Sequence, residues 1–220
     1  MPTSTSLPKR LRPRRSPVQE RSQLTVDSLV DAAIQIFEEY GYAAGTTARI
    51  AERCGISVGS LYQYFPNKDA ILIAVALRHL SEGEAMLGQL LREPADSTMP
   101  LDALLRKWVE AMVTLHTSHP RLHRMLFEQV ALPPVVWETV KTLEQTAARH
   151  LAELLTARHD VAVPDPHLAA HLVIELIEAA THRLVLHPPA QYTRERCVDE
   201  LVHLLTAYLT GGPRSGRSES

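Results

Sequence analysis

The sequence predicts an all-α protein. Apolar residues recur at spacings of three and four along most of the chain, which places them on one face of successive helices. Strand-type alternation, Asn-Gly turns and internal repeats are absent from the sequence, and connectors containing proline separate the helical stretches. With 45% hydrophobic and 22% charged residues, the 220-residue chain can bury one sizeable core or two smaller ones.

The first 22 residues differ in composition from the rest. They hold six basic residues against the single acid Glu20, a net charge of +5 that leaves −7 for the remainder. Four prolines and few apolar residues predict a disordered basic arm over 1–22, which either touches nucleic acid or only aids solubility. At the other end, 211–220 is predicted to be a flexible tail.

Several classes of protein are disfavoured. No stretch has the apolar length of a signal peptide or a membrane span, and Cys54 and Cys197 lack the spacing of a metal site, so we expect a cytoplasmic protein. The sequence contains no HExxH, nucleophile elbow, glycine-rich phosphate loop or paired-cysteine motif. We therefore predict no enzyme activity, no catalytic residue, no cofactor and no bound metal.

The segment 29–40 is predicted to form the first helix, and Gly41 is placed to end it. Thr46 and Thr47 can cap a short second helix, which Gly55 ends. The apolar faces of these two helices are predicted to consist of Leu29, Ala33, Ile36, Phe37, Tyr40, Ile50, Ala51 and Cys54.

Ser57 can cap a third helix whose buried side is marked by Leu61 and Phe65. Asn67 can cap a fourth and longer helix, from 68 to about 92. Five further helices are predicted at 101–118, 121–131, 134–158, 166–186 and 194–209.

The second and third helices, joined by a turn with glycine, have the spacing of a helix-turn-helix, whose second helix enters the major groove. On the third helix, Gln63 can make a bidentate contact to adenine and Ser60 can bond to several bases. Tyr62, Tyr64 and Lys68 suit phosphate oxygens. Alternatively, the two tyrosines are half-buried packing residues whose hydroxyls face water.

The stretch "TTARIAERCGISVGSLYQYFPNKDAIL" resembles the DNA-binding domain of TetR-family transcriptional regulators, and the resemblance runs from about Thr25 to Leu77. Three later stretches, "HPRLHRMLFEQV", "LIEAATHRLVLHP" and "CVDELVHLLTAYL", are similar to a C-terminal subtype of that family. The resemblance implies a helix-turn-helix domain over 23–68 and a helical domain over 69–210 that dimerises and binds a small-molecule effector. It also implies a repressor that leaves a palindromic operator in double-stranded DNA when the effector binds.

The resemblance assigns roles to individual residues. It implies phosphate contacts from Thr47, Tyr62, Tyr64 and Lys68, and base or groove contacts from Arg49, Ser57, Val58, Gly59, Ser60 and Gln63. Two positions depart from the family pattern. Gly45 stands where many relatives have a threonine, so the cap shifts to Thr46; Cys54 replaces the usual alanine and is either a small buried residue or a redox-sensing thiol.

Two groups of residues are candidates for the effector site. Apolar walls with a few polar groups suit a small molecule, although ordinary core packing would give the same pattern. The first group consists of Trp108, Met112, His116, Met125, Phe127 and Trp137.

The second group lies in "HLVIELIEAATH", where His171, Glu175, Glu178 and His182 share one helix face. We predict that the first three contact the effector. Histidine and glutamate at this spacing can also bind a divalent ion, form a polar seam at a dimer interface, or form hydrogen-bonded pairs that specify the bundle. The sequence leaves these alternatives open.

We expect a homodimer, because one short recognition helix reads too few base pairs for useful specificity. The last two helices supply apolar residues for the core and the dimer interface together: Leu172, Leu176, Ala180, Leu184, Leu201, Leu204, Leu205 and Tyr208. The alternative function is a helical metal- or ligand-binding protein that acts through protein partners without binding an operator.

Overall fold

A computed structural model describes residues 20–92, 99–186 and 190–211 of the chain. Within these ranges the protein is helical and holds no strand, so the predicted all-α class is confirmed. The nine helices are α1 (Glu20–Ala44), α2 (Thr47–Arg53), α3 (Val58–Tyr64), α4 (Lys68–Arg92), α5 (Leu101–Ser118), α6 (Pro120–Arg124), α7 (Pro134–Thr156), α8 (Pro166–Leu186) and α9 (Arg194–Leu209). The predicted basic arm and tail lie almost entirely outside the described residues.

The predicted helical stretch over 121–131 changes its helix type halfway. Helix α6 ends at Arg124 and a π-helical turn, Met125–Gln129, follows it. A π turn admits one extra residue per turn, so apolar spacing alone does not distinguish it from α-helix. The other predicted boundaries after position 100 agree with the structure to within two residues.

The chain forms two compact units. Among the described residues, the first unit combines 20–83 with 119–140, and the second combines 84–92, 99–118, 141–186 and 190–211. The predicted domain boundaries at 23–68 and 69–210 stay a prediction.

The core of the first unit anchors the helix-turn-helix. Phe37, Ile50, Leu61 and Phe65 are all 0% exposed. Burial of one such side chain contributes about 1.5–3 kcal/mol. Leu61 and Phe65 therefore hold the inner side of α3, as predicted, and leave its other side to solvent.

Two glycines shape the entry to α2 and α3. A Cβ added at Gly45 would lie 2.7 Å from the Phe37 ring and 2.9 Å from the Gly41 carbonyl oxygen, so a side chain does not fit there. Gly55, with φ of 73°, makes the left-handed turn between α2 and α3. Helix α1 extends to Ala44 but is kinked at the non-helical Gly41, where the sequence predicts its end.

In the second unit, helix α5 packs against α8 and α9. The structure divides the apolar residues of α8 and α9 between core and surface. Leu201 and Leu205 are buried, whereas the exposed residues are Leu168, Leu172, Leu176, Leu204 and Tyr208. No helix in the described part of the chain has the length and apolar character that a membrane span requires.

Candidate nucleic-acid interface and effector site

Three side-chain caps place the helices of the motif. The Thr46 hydroxyl accepts the N–H of Arg49 at 3.3 Å, and the Ser57 hydroxyl accepts the N–H of Ser60 at 3.0 Å. The Asn67 side-chain oxygen accepts the N–H of Ala70 at 2.8 Å. These bonds satisfy donors that a helix N-terminus otherwise leaves unpaired. The shift of the α2 cap to Thr46 is confirmed.

The outward side of α3 carries most of the side chains that the sequence predicts to contact DNA. Tyr62 and Gln63 are exposed, whereas Tyr64 is half-buried. The start of the helix, 57–60, is exposed except for the half-buried Ser60. Small residues here let the helix backbone approach another surface closely.

Two residues that are predicted to contact phosphate lie within hydrogen-bonding distance of each other. The hydroxyl oxygens of Thr47 on α2 and Tyr62 on α3 are 3.2 Å apart and share a hydrogen bond. Sequence reasoning selected both residues but did not predict this bond, since only the packing of α2 against α3 brings them together.

Arg49 is held by the end of α1. Its guanidinium lies 4.2 Å from the centre of the Tyr40 ring, and its Nη1 is 3.5 Å from the Ala44 carbonyl oxygen. The prediction that Tyr40 belongs to the apolar face of the first helix is wrong, because its side chain is 42% exposed and supports this arginine instead.

Lys68 is fixed by the segment after the Gly41 kink. Its Nζ donates to the Tyr42 carbonyl oxygen at 2.7 Å and lies 4.1 Å from the centre of the Tyr42 ring. The Tyr42 hydroxyl donates to Asp69, and burial together with this bond raises the pKa of Tyr42 above its usual range. To contact a phosphate as well, the Lys68 ammonium group would have to donate to the phosphate and to the Tyr42 carbonyl oxygen together.

Cys54 is half-buried, and burial raises the pKa of its thiol. A raised pKa keeps the sulfur protonated and poorly nucleophilic at neutral pH. Of the two alternatives for this position, the packing role is the one that the structure favours.

The first group of effector candidates falls into two sets. In the first unit, Met125 is buried, and the rings of Phe127 and Trp137 are 5.7 Å apart with Trp137 45% exposed. In the second unit, Trp108 belongs to the core and Met112 packs against that core. A pocket that combines the two sets stays a prediction.

The second group of effector candidates is only partly brought together. His182 donates from Nε2 to Oε1 of Glu178 at 2.9 Å, whereas His171 and Glu175 are exposed. The sequence missed a further partner: Nε2 of His116, on α5, is 3.6 Å from the same Glu178 oxygen. No spacing within one helix could have revealed this neighbour.

Two family models match the chain. Residues 29–75 match the bacterial regulatory proteins of the tetR family, and residues 100–209 match the tetracyclin repressor-like C-terminal domain. The second match alone covers half of the chain. The chain belongs to the TetR family. The two matched descriptions, of bacterial regulatory proteins and of a repressor-like domain, agree with the predicted class of transcriptional regulators.

Curated relatives of this TetR-family protein are regulators of transcription or metabolism. The transcriptional activator FasR of Mycolicibacterium smegmatis is 30% identical over 139 residues, 63% of this chain and 59% of FasR. The fatty acid metabolism regulator protein of Bacillus subtilis is 28% identical over 79 residues, 36% of this chain and 41% of that protein. The chain thus matches about half the length of these two relatives. An uncharacterized regulator of Mycobacterium tuberculosis is 27% identical over 206 residues, 88% of this chain and 97% of its own length.

Solved structures support the same TetR fold. A tetR-family regulator from Mesorhizobium loti superimposes with a TM-score of 0.68 at 19% identity, over 86% of this chain and 98% of that one. FadR of Bacillus subtilis in complex with stearoyl-CoA superimposes with a TM-score of 0.58 at 19% identity, over 83% and 98%. At such identities these structures establish the fold alone.

Proposed function

We propose that this TetR-family regulator binds a palindromic operator as a homodimer and represses transcription until a small-molecule effector binds its C-terminal domain. The observation that carries the proposal is the polar outer side of α3, which the buried Leu61 and Phe65 hold towards solvent. A helix whose inner face is anchored in the core and whose outer face is polar suits the major groove. Such a protein acts in the cytoplasm, where the chromosome lies.

Base and groove contacts come from the residues that the sequence selected: Arg49, Ser57, Val58, Gly59, Ser60 and Gln63. Phosphate contacts come from Thr47, Tyr62, Tyr64 and Lys68. Between 23 and 80 the chain has only four basic residues against six acids. Two of these four are in ion pairs, Arg53 with Glu39 at 2.9 Å and Arg78 with Asp27 at 2.5 Å. Phosphate affinity therefore depends on neutral donors and on the basic arm more than on lysine and arginine of the folded part.

The exposed apolar side chains of α8 and α9 support the homodimer. Leu168, Leu172 and Leu176 follow one another at intervals of four and form one stripe on α8. Leu204 and Tyr208 form a similar pair on α9, the helix packed beside it. The double substitution Leu172→Glu with Leu176→Glu should convert the dimer into monomers in sedimentation velocity, and an unchanged mass would place the interface elsewhere.

For the effector we propose a long-chain fatty acyl thioester as the first class to test. The relatives support this choice, since one is named for fatty acid metabolism and a structural neighbour holds stearoyl-CoA. In the second unit, the apolar side chains of Trp108 and Met112 suit an acyl chain. Effector binding would act by favouring one of two dimer states, typically by about 1–3 kcal/mol, in which the spacing of the two α3 helices no longer fits the operator.

The operator test starts from selection of DNA ligands from a random duplex pool by the purified full-length protein. The expected result is an enriched palindrome that binds in mobility-shift assays and is released by stearoyl-CoA but not by free coenzyme A. Gln63→Ala should weaken binding by about tenfold or more, since one bidentate base contact contributes about 1–3 kcal/mol. Thr114→Ala, an exposed substitution on α5, is the control and should bind like wild type. Failure to enrich any sequence would favour the helical partner-binding alternative.

A further inference from the structure

A half-buried carboxylate in the second unit, that of Glu178, faces two imidazoles from different helices. Oε1 of Glu178 on α8 is 2.9 Å from Nε2 of His182 and 3.6 Å from Nε2 of His116 on α5. The two imidazole rings are 4.7 Å apart between centres and meet edge to face. Three potential ligand atoms thus converge on one point.

A hydrogen bond to the backbone fixes the orientation of the His116 ring. Its side chain is 2% exposed, and its Nδ1 is 2.8 Å from the Met112 carbonyl oxygen. Because a carbonyl oxygen can only accept, Nδ1 carries the proton and donates it there. This bond holds the ring so that Nε2 faces Glu178. A backbone carbonyl that holds one ring nitrogen and so presents the other is the usual support of a metal-bound histidine.

The charges around this point are negative. On α7, burial and then the charges of Glu175 and Glu178 raise the pKa of Glu144. Glu144, Glu175 and Glu178 thus create a region of negative potential, which attracts a cation.

We propose that His116, Glu178 and His182 bind one divalent transition-metal ion of the Zn²⁺ class. Nε2 of His182 now donates to Glu178, so His182 binds the metal in the tautomer that carries its proton on Nδ1. Ligands at 2.0–2.2 Å from a tetrahedral Zn²⁺ lie about 3.3–3.5 Å from one another. The two observed nitrogen-to-oxygen distances, 2.9 and 3.6 Å, lie on either side of that range.

The donor set also selects the ion. Two imidazoles with one carboxylate suit Zn²⁺, Co²⁺ or Ni²⁺, whereas Mg²⁺ and Ca²⁺ prefer oxygen ligands alone. Three protein ligands leave the fourth tetrahedral position for water or for a donor atom of a small molecule. The proposal does not depend on operator binding, since its measurements concern the metal alone.

The test uses the full-length protein without a histidine tag, freed of metal with a chelator and titrated with ZnCl₂ in a calorimeter. One equivalent per protomer should bind, and CoCl₂ should give the visible absorption of a tetrahedral site that ZnCl₂ abolishes. Glu178→Gln and His182→Asn should each weaken Zn²⁺ binding by more than about tenfold. His159→Asn, which changes an exposed histidine of the same unit, is the matched control and should bind like wild type.

Thermal unfolding of each variant without metal shows whether it folds. If Glu178→Gln does not fold, His182→Asn decides, because this side chain is partly exposed and tolerates replacement better. Absence of saturable Zn²⁺ binding by the wild type would overturn the proposal. Equal weakening by His159→Asn and His182→Asn would also overturn it, since it would indicate surface histidines as the binding groups. Either failure leaves the operator assay unaffected.

Discussion

The hydroxyls of Thr47 and Tyr62 bridge α2 and α3 through a hydrogen bond of 3.2 Å. The bond orients two of the proposed phosphate donors before DNA arrives. Because one neutral hydrogen bond contributes about 0.5–1.5 kcal/mol, Tyr62→Phe should weaken operator binding by about two- to tenfold. A mobility-shift comparison of Thr47→Val, Tyr62→Phe and the double variant checks this. Coupling between the substitutions supports the bond, whereas strictly additive losses would contradict it.

Tyr64 is half-buried on α3, so its ring packs while its hydroxyl can reach a phosphate. Tyr64→Phe should raise the operator Kd by a few-fold, through loss of about 1 kcal/mol, and leave the melting temperature unchanged. Tyr192→Phe, at an exposed tyrosine outside the motif, is the control. An unchanged Kd for Tyr64→Phe would mean that this tyrosine only packs.

Tyr40 should matter for operator binding although it follows no DNA-contact pattern. Its ring supports the Arg49 guanidinium at 4.2 Å, an interaction that contributes about 0.5–1 kcal/mol at an exposed site. Tyr40→Ala should weaken operator binding by about two- to fivefold, whereas Tyr40→Phe, which keeps the ring face, should weaken it less. Fluorescence anisotropy with labelled operator measures both. Equal losses in the two variants would assign the effect to the hydroxyl.

Glu38 of α1 caps helix α6. Its carboxylate accepts hydrogen bonds from the backbone N–H groups of Arg121 at 3.2 Å and Leu122 at 2.7 Å. The side chain of His119, the N-cap residue of α6, makes no capping hydrogen bond. Glu38→Ala should lower the free energy of unfolding by about 1–2 kcal/mol, and Glu38→Gln by less because it keeps an acceptor. Urea unfolding provides the measurement. Glu52→Ala on α2 is the control, and an equal loss there would indicate a general charge effect.

The basic arm lies outside the described residues, and its role rests on sequence alone. Deletion of 1–16 removes five basic residues, so it should weaken operator binding and flatten its salt dependence by about 0.9 per lost phosphate contact. Titrations at several salt concentrations measure the slope. A slope equal to that of the full-length chain would make the arm a solubilising tail.

The caps of the motif were predictable because each depends on three or four consecutive residues. Thr46, Ser57 and Asn67 all accept the backbone N–H that local chemistry assigns to them. The buried side of α3 was predictable for a similar reason, since Leu61 and Phe65 are one turn apart.

The contacts between distant segments were not predictable. Periodicity places His171, Glu175 and Glu178 on one face of α8, but only the position of α5 decides that Glu178 meets His116 while the other two face solvent. The same holds for Tyr40, whose apolar spacing on the first helix conceals its contact with Arg49. The spacing of residues in the sequence indicates which face of a helix is apolar. It does not indicate which other segment of the chain packs against that face.

The space around Gly45 limits how far the DNA-binding motif can be exchanged between relatives. A threonine there would collide with the Phe37 ring and the Gly41 carbonyl of α1. A chimera that takes position 45 together with α2 and α3 from a relative with threonine there would carry a side chain for which this host has no room. The interchangeable module in this protein therefore begins before Phe37, and its operator specificity is transferable only together with the end of its first helix.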